Sequence, residues 1–301
     1  MIDQYTFDNP VTRYRQSAPP AEMQQAPPGV EERITPTPDL GANTYRGSGR
    51  LTGRKALITG GDSGIGGAVA IAFAREGADV AISYLPIEEA DAENVVALIE
   101  AEGRTAIAIP GDVMDAAHCR DLVRKAVDGL GGLGGLDILV NNAGKQIAVE
   151  SLEDISDEQF DETYKTNVYA MFHITKAALP HLKPGSTIIN CSSIQAYAPS
   201  PNLVDYASTK AAINNFSKGL SQQLAPKGIR VNVVAPGPIW TPLQATGGQP
   251  AEDLPTLGED TPLGRVGQAA ELAPAFVFLA SSESSYVIGE TLNVNGGIPS
   301  P

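Results

Sequence analysis

The chain has 301 residues, 42% hydrophobic and 19% charged, which is enough to bury a large core and too apolar for disorder throughout. Thirty-five acids against 21 lysines and arginines give a formal charge of -14, so the surface repels phosphate polymers and anionic lipid, and neither nucleic acid nor membrane is expected as a partner. Two distant cysteines, Cys119 and Cys191, fit neither a disulfide framework nor a zinc knuckle; with no apolar run of about 18 residues and no apolar centre in the first thirty, a cytoplasmic protein is expected.

Residues 1–50 carry Pro10, Pro19, Pro20, Pro27, Pro28, Pro36 and Pro38 among Gln, Glu and Thr and cannot bury a core alone. They read as an extended Pro-rich arm, either without a role or docked through Tyr5, Phe7, Tyr14 and Tyr45 on the body or a neighbouring subunit. From Leu51 to the end, residues 51–301, short β-rich runs alternate with helical stretches. Strands are predicted at Lys55–Thr59, Asp79–Tyr84, Thr105–Ile109, Ile138–Asn141, Thr187–Cys191, Arg230–Ala235 and Thr291–Val294. Helices are predicted at 66–76, 87–102, 114–129, 157–182, 206–225 and 269–281, with Ser156 and Gln159 as a capping box for the fourth. Right-handed crossovers make this an α/β chain, a single doubly wound Rossmann domain on a seven-stranded parallel sheet. The glycine-rich run from Gly129 to Gly135 is read as a helix-to-strand turn with no special backbone demand and no function.

The first chemical signal is Thr59-Gly60-Gly61-Asp62-Ser63-Gly64-Ile65-Gly66, set between an apolar strand and an Ala-rich helix. In that context glycines let a turn approach a pyrophosphate at a helix N-terminus. Gly61-Asp62-Ser63-Gly64 also imitates a serine-protease nucleophile segment, but such proteases are secreted, disulfide-bonded all-β proteins. A Rossmann site for NAD places an acid at the end of the second strand. Here that end reads Ser83-Tyr84-Leu85-Pro86, with no carboxylate before Glu88 and no cation for a 2′-phosphate. The small Ser83 leaves room, so NADP is preferred and NAD admitted, with Tyr84 at the adenosine end. Asp112 and Val113, after the third strand, are candidates for the adenine, although Asp112 reads equally as a helix N-cap.

The second signal is Tyr206-Ala207-Ser208-Thr209-Lys210. Helical spacing places an ammonium beside a phenol, and a nearby cation favours the phenolate that proton exchange with an alcohol or carbonyl requires. Ser193 can hydrogen-bond the same substrate oxygen, and Asn167 can hold a water behind Lys210 by interrupting its helix.

Together with Asn141-Asn142-Ala143-Gly144 after the fourth strand and Pro236-Gly237 after the sixth, these elements stand in the order and spacing of classical short-chain dehydrogenases/reductases, which residues 51–298 resemble. The resemblance implies Tyr206 as acid/base, Ser193 as donor to the substrate oxygen, Lys210 as ribose anchor and pKa modifier, and Asn167 as holder of a proton-relay water. It favours Ser193 over Ser192 and implies that Ile239 and Thr241 contact the nicotinamide carboxamide. It also implies a homotetramer through the helices at 157–182 and 206–225. The leader, Ser192-Ser193-Ile194-Gln195-Ala196-Tyr197 and Pro238-Ile239-Trp240-Thr241 are similar to the bacterial branch of general stress proteins and NADP-dependent aldehyde reductases, glucose or ribitol dehydrogenase-like. Gly67 departs from the family, where many relatives carry Arg or Lys, and the 129–135 run is longer than usual.

His118, His173 and His181 lack partners at ligand spacing, so no metal is expected. Trp240 and Tyr197 are either walls of the substrate site or packing residues, and Leu243 to Pro262 reads as a mobile lid. Two classes of function remain: an oxidoreductase acting on a small carbonyl or alcohol, sugar and polyol dehydrogenases included, and a catalytically idle dinucleotide-binding redox sensor. The set Asn167, Ser193, Tyr206 and Lys210 favours the first.

Overall fold

A computed structural model of the chain describes residues 2–14, 19–132 and 135–300. Among these, seven strands, β1 (Lys55–Thr59), β2 (Asp79–Tyr84), β3 (Ala106–Pro110), β4 (Ile138–Asn141), β5 (Thr187–Cys191), β6 (Arg230–Pro236) and β7 (Thr291–Val294), form one parallel sheet. Their order is β3-β2-β1-β4-β5-β6-β7. The strands are apolar on both faces because helices cover both. Alternate residues of β1 point to opposite sides: Ala56 and Ile58 join a core with α1 (Gly64–Arg75), α2 (Glu89–Ala101) and α7 (Ala269–Ala280). Leu57 joins the other core, with α3 (Ala116–Gly129), α5 (Ala170–Ala178) and the end of α6 (Val204–Leu224). The chain order reverses beside β1, so the carboxyl ends of β1 and β4 open a crevice at a topological switch point.

The structure differs from the sequence reading in particular places. The expected helix over 157–182 is α4 (Asp157–Tyr164), a π-helical turn at Lys165–Tyr169, then α5, and ends in a 3-10 turn at Leu179–His181. The capping box is half formed: Ser156 Oγ accepts the Gln159 amide, while the Gln159 side chain turns to Asp205 Oδ2 at 3.3 Å. Helix α3 is capped by Asp115, which accepts from the Ala117 amide. Asp112 instead closes a turn with the Met114 amide, so it is not the cap. The run after α3 does make a backbone demand, since Gly131 and Gly132 sit at φ of 106° and 75°, costly for any residue with a Cβ; residues 133 and 134 of that run lie outside the described residues.

Much of the arm lies on the body. Tyr45 is buried and its hydroxyl donates to Glu76 Oε1, a buried carboxylate at the end of α1 that also receives the Arg50 guanidinium. Tyr14 donates to Asp39, whereas Phe7 is fully exposed. Ile34 packs with Trp240, Ala245 and Leu254 in a small separate core, and the Trp240 indole donates to the Pro36 carbonyl. The segment 243–262 is therefore a folded cover bound to the arm, with the Gln25 amide donating to the Ala245 carbonyl at 2.6 Å.

Candidate active site

The crevice is a cavity of about 840 Å³. It is lined by the glycine turn, the carboxyl ends of β2, β4, β5 and β6, the start of α6 and the cover.

Gly60, at φ 59°, opens the turn between β1 and α1. Thr59 fixes this turn to β4, because its Oγ1 accepts the amides of Asn142 and Ala143, and Asn142 Nδ2 donates back to the carbonyls of Thr59 and Gly60. Gly60, Asp62, Ser63, Gly64 and Ile65 line the cavity. Gly66 does not. A Cβ there would stand 1.8 Å from the Gly60 carbonyl oxygen and 2.5 Å from Asn142 Nδ2, so Gly66 is required for the close packing of turn, helix and β4 rather than for ligand contact. At Gly67 a Cβ would meet Leu40 of the arm at 3.3 Å, so the arm packs beside this position.

Tyr84, Asp112, Val113, Asn142, Ala143, Gly144, Pro236, Gly237, Ile239 and Thr241 all face the same cavity. Trp240 is fully buried beneath it, and neither Trp240 nor Tyr197 lines it.

At the far end, β5 delivers Ser193 and α6 delivers Tyr206, both buried and both lining the cavity. Ser193 Oγ caps a short turn by accepting the Gln195 amide, while Ser192 Oγ donates away from the cavity to the Lys210 carbonyl. Lys210 Nζ lies 5.3 Å from the centre of the Tyr206 ring and donates to the Cys191 carbonyl at 3.0 Å. Asn167 sits in the π-helical turn, where its Oδ1 accepts the Lys145 amide and its Nδ2 donates to the Lys145 carbonyl and to Thr209 Oγ1. Its side chain thus ties α4–α5 to the loop after β4. A Cβ on Gly144 would be 3.5 Å from Asn167 Oδ1 and 3.7 Å from Lys210 Nζ, which puts both groups around one point.

A sequence model described as Enoyl-(Acyl carrier protein) reductase matches residues 60–299. The chain is 56% identical to Uncharacterized oxidoreductase YghA of Escherichia coli, over 96% of this chain and 97% of that one. The chain belongs to the short-chain dehydrogenase/reductase family. It is an NAD(P)-dependent oxidoreductase. Glucose and ribitol dehydrogenase of Daucus carota is 42% identical, covering 92% of this chain and 96% of that protein. Among solved structures, a short-chain dehydrogenase of Burkholderia cenocepacia in complex with NADP superposes with a TM-score of 0.75 at 38% identity, over 82% of this chain and 98% of that one.

Sequence reasoning missed several residues of this short-chain dehydrogenase site. Glu31 of the arm carries its carboxylate to the glycine turn, and Asp91 of α2 sits beside it, with no local pattern to signal either. Gln146 and Gln244 line the substrate end from a loop and the cover. Thr59 stood in the motif, but its role appears only once β4 lies alongside.

Proposed function

We propose that this enzyme reduces a small aldehyde or ketone, or oxidises the matching alcohol, with Tyr206 as the proton donor and acceptor. The observation that carries the reading is that Tyr206 and Ser193 face the cavity formed by the glycine turn, with the Lys210 ammonium 5.3 Å from the phenol ring. A nicotinamide dinucleotide fits the residues present: Gly60, Asp62, Ser63, Gly64 and Ile65 of the turn line the cavity, and the buried Asp62 Oδ2 has no protein partner. The dinucleotide supplies or takes the hydride. Ser193 Oγ and the Tyr206 hydroxyl donate hydrogen bonds to the substrate oxygen, and Tyr206 gives up its proton as negative charge grows there. Lys210, held by the Cys191 carbonyl, favours the phenolate left behind. Asn167 keeps the π-helical turn open beside Lys145 and Lys210, where a relay water would refill the phenol.

Ser83 leaves room at the adenosine end for NADP, as the sequence suggested, but the fold adds Asp62 and Glu88 to that wall. The substrate end is lined by Gln146, Gln244 and Gln249 with Asp253 and Glu259, and the buried Gln244 Oε1 has no hydrogen-bond partner. Such a wall suits a neutral compound with hydroxyl donors, which keeps a polyol or sugar beside the aldehyde expected from the bacterial branch. Both cysteines are free and buried, in keeping with a cytoplasmic protein. Phe160, Tyr169, Phe172 and Val204 are exposed on α4–α6 and support a homotetramer through these helices; light scattering should give four times the chain mass, and a monomer at micromolar concentration would contradict it.

A panel of aldehydes, ketones, sugars and polyols, followed at the nicotinamide absorbance with both cofactors, tests the enzyme reading. Turnover of at least one class is expected, whereas tight dinucleotide binding without turnover of any would favour the sensor.

A further inference from the structure

Four carboxylates from three separate parts of the chain gather around the glycine turn; Asp62 and Glu88 line the adenosine end of the cavity, and Glu31 and Asp91 do not line it. Asp62 comes from the glycine turn, Glu88 and Asp91 from the start of α2 and the turn before it, and Glu31 from the arm. Glu31 Oε2 accepts the Gly64 amide at 2.8 Å, and the Glu31 and Glu32 amides both donate to Asp91. Glu88 Oε2 accepts the Leu85 amide. Pro27, Pro28 and Gly29 of the arm also line the cavity, with Gly29 packed against Pro242 and Thr246. Asp62 differs from its neighbours: it is 2% exposed, it lines the cavity, and its Oδ2 has no hydrogen-bond partner.

No arginine lines this cavity among the described residues, and the ammonium groups of its two lysines are engaged elsewhere, Lys145 with Glu162 and Lys210 with the Cys191 carbonyl. Among the described residues, no three of these carboxylates form a group suited to a metal ion. A buried carboxylate oxygen without a donor is costly, and a ligand hydroxyl is the partner that satisfies it without adding charge. A phosphate at the same point would bring acceptors only and nearly two more negative charges.

Resting on the reading of this cavity as a dinucleotide site, we propose that Asp62 sets the choice of dinucleotide. Its free Oδ2 receives a ribose hydroxyl at the adenosine end, and the Asp62 carboxylate, with no arginine on the cavity wall to offset it among the described residues, excludes a 2′-phosphate. The chain therefore selects NAD over NADP, the reverse of the preference drawn from the end of β2 alone. The discriminating acid is supplied by the glycine turn, and the arm contributes Pro27, Pro28 and Gly29 to the wall of the same cavity.

The test is calorimetric titration of the full chain with ADP-ribose and with 2′-phospho-ADP-ribose, which lack the nicotinamide and report on this end alone. ADP-ribose is expected to bind at least about tenfold more tightly, roughly 1.4 kcal/mol. Asp62→Asn keeps the volume and removes the charge, and should shrink the ratio to threefold or less. Equal or tighter binding of the 2′-phosphorylated ligand, or a ratio unmoved by Asp62→Asn, would overturn the proposal. If neither ligand bound, the dinucleotide reading itself would fall, and this inference with it.

Discussion

Lys210 Nζ donates to the main-chain carbonyl of Cys191 at 3.0 Å and stands 5.3 Å from the centre of the Tyr206 ring, so the last residue of β5 fixes the ammonium beside the phenol. The anchor is a backbone atom of the central sheet, which makes the position of the charge insensitive to the side chain at 191. Lys210→Ala removes a cation from beside the phenol and from beside Gly144 on the cavity wall. Dinucleotide affinity and turnover should both fall, each by about tenfold or more. Titration of the dinucleotide against this variant checks the first part, and unchanged affinity would show that Lys210 acts on the phenol alone.

The arm is held by a buried charge. Burial pushes the Glu76 carboxyl up, but Arg50, Tyr45 and the amides of Arg50 and Ser48 outweigh it and bring it down to about 2. Because this folded-state value lies below the ordinary 4.5, the contact stabilises the fold fully above pH 4.5 and is lost as pH falls towards 2. Arg50→Ala leaves the carboxylate buried beside Tyr45 with its cation gone, at a cost of about 3 kcal/mol, or roughly 6 °C in thermal midpoint. Calorimetric melting at pH 7 measures it, and a shift of under 2 °C would mean that the arm is held by its apolar contacts instead.

The acid cluster acts in the opposite sense. Glu31 is raised to about 8 from an ordinary 4.5, chiefly by burial, and Glu88 and Asp62 are raised too, by burial and by one another or Asp91. Asp91 is also raised by burial and by Glu32; its two amide hydrogen bonds and Arg33 hold it down only in part. The folded state binds these protons more tightly than the unfolded chain, so the contribution of this cluster to stability is full below about pH 4.5 and is lost as pH rises through 8. The dinucleotide-free protein should melt lower at pH 8.5 than at pH 6, and Glu31→Gln should reduce that difference. A midpoint that rises over this interval would contradict the account.

The parallel sheet and the placing of Ser193, Tyr206 and Lys210 on one cavity were legible because each is encoded locally. Apolar runs between glycine turns mark β1, β2, β4, β5 and β7 to the residue, and Tyr206 and Lys210 share a helix face at fixed spacing. The adenosine end was not legible for the opposite reason: Glu31 and Gly64 are 33 residues apart and meet only after the arm crosses α1 and α2. The break at Asn167 was foreseeable from a polar side chain inside a helix, but its form depends on the Lys145 backbone, which only the folded loop brings near. Trp240, beside a proline at the cavity mouth, gave no sign that its indole is spent on the carbonyl of Pro36.

The most direct test of the central claim is turnover of Tyr206→Phe with the best substrate of the panel, alongside its dinucleotide affinity. The substitution keeps the ring that packs over Lys210 and deletes the proton. Turnover is expected to fall by at least about a hundredfold, the lower range for general acid catalysis, with affinity changed less than about threefold. Retention of more than about a tenth of the activity would show that another group protonates the substrate oxygen and that Tyr206 is not the acid.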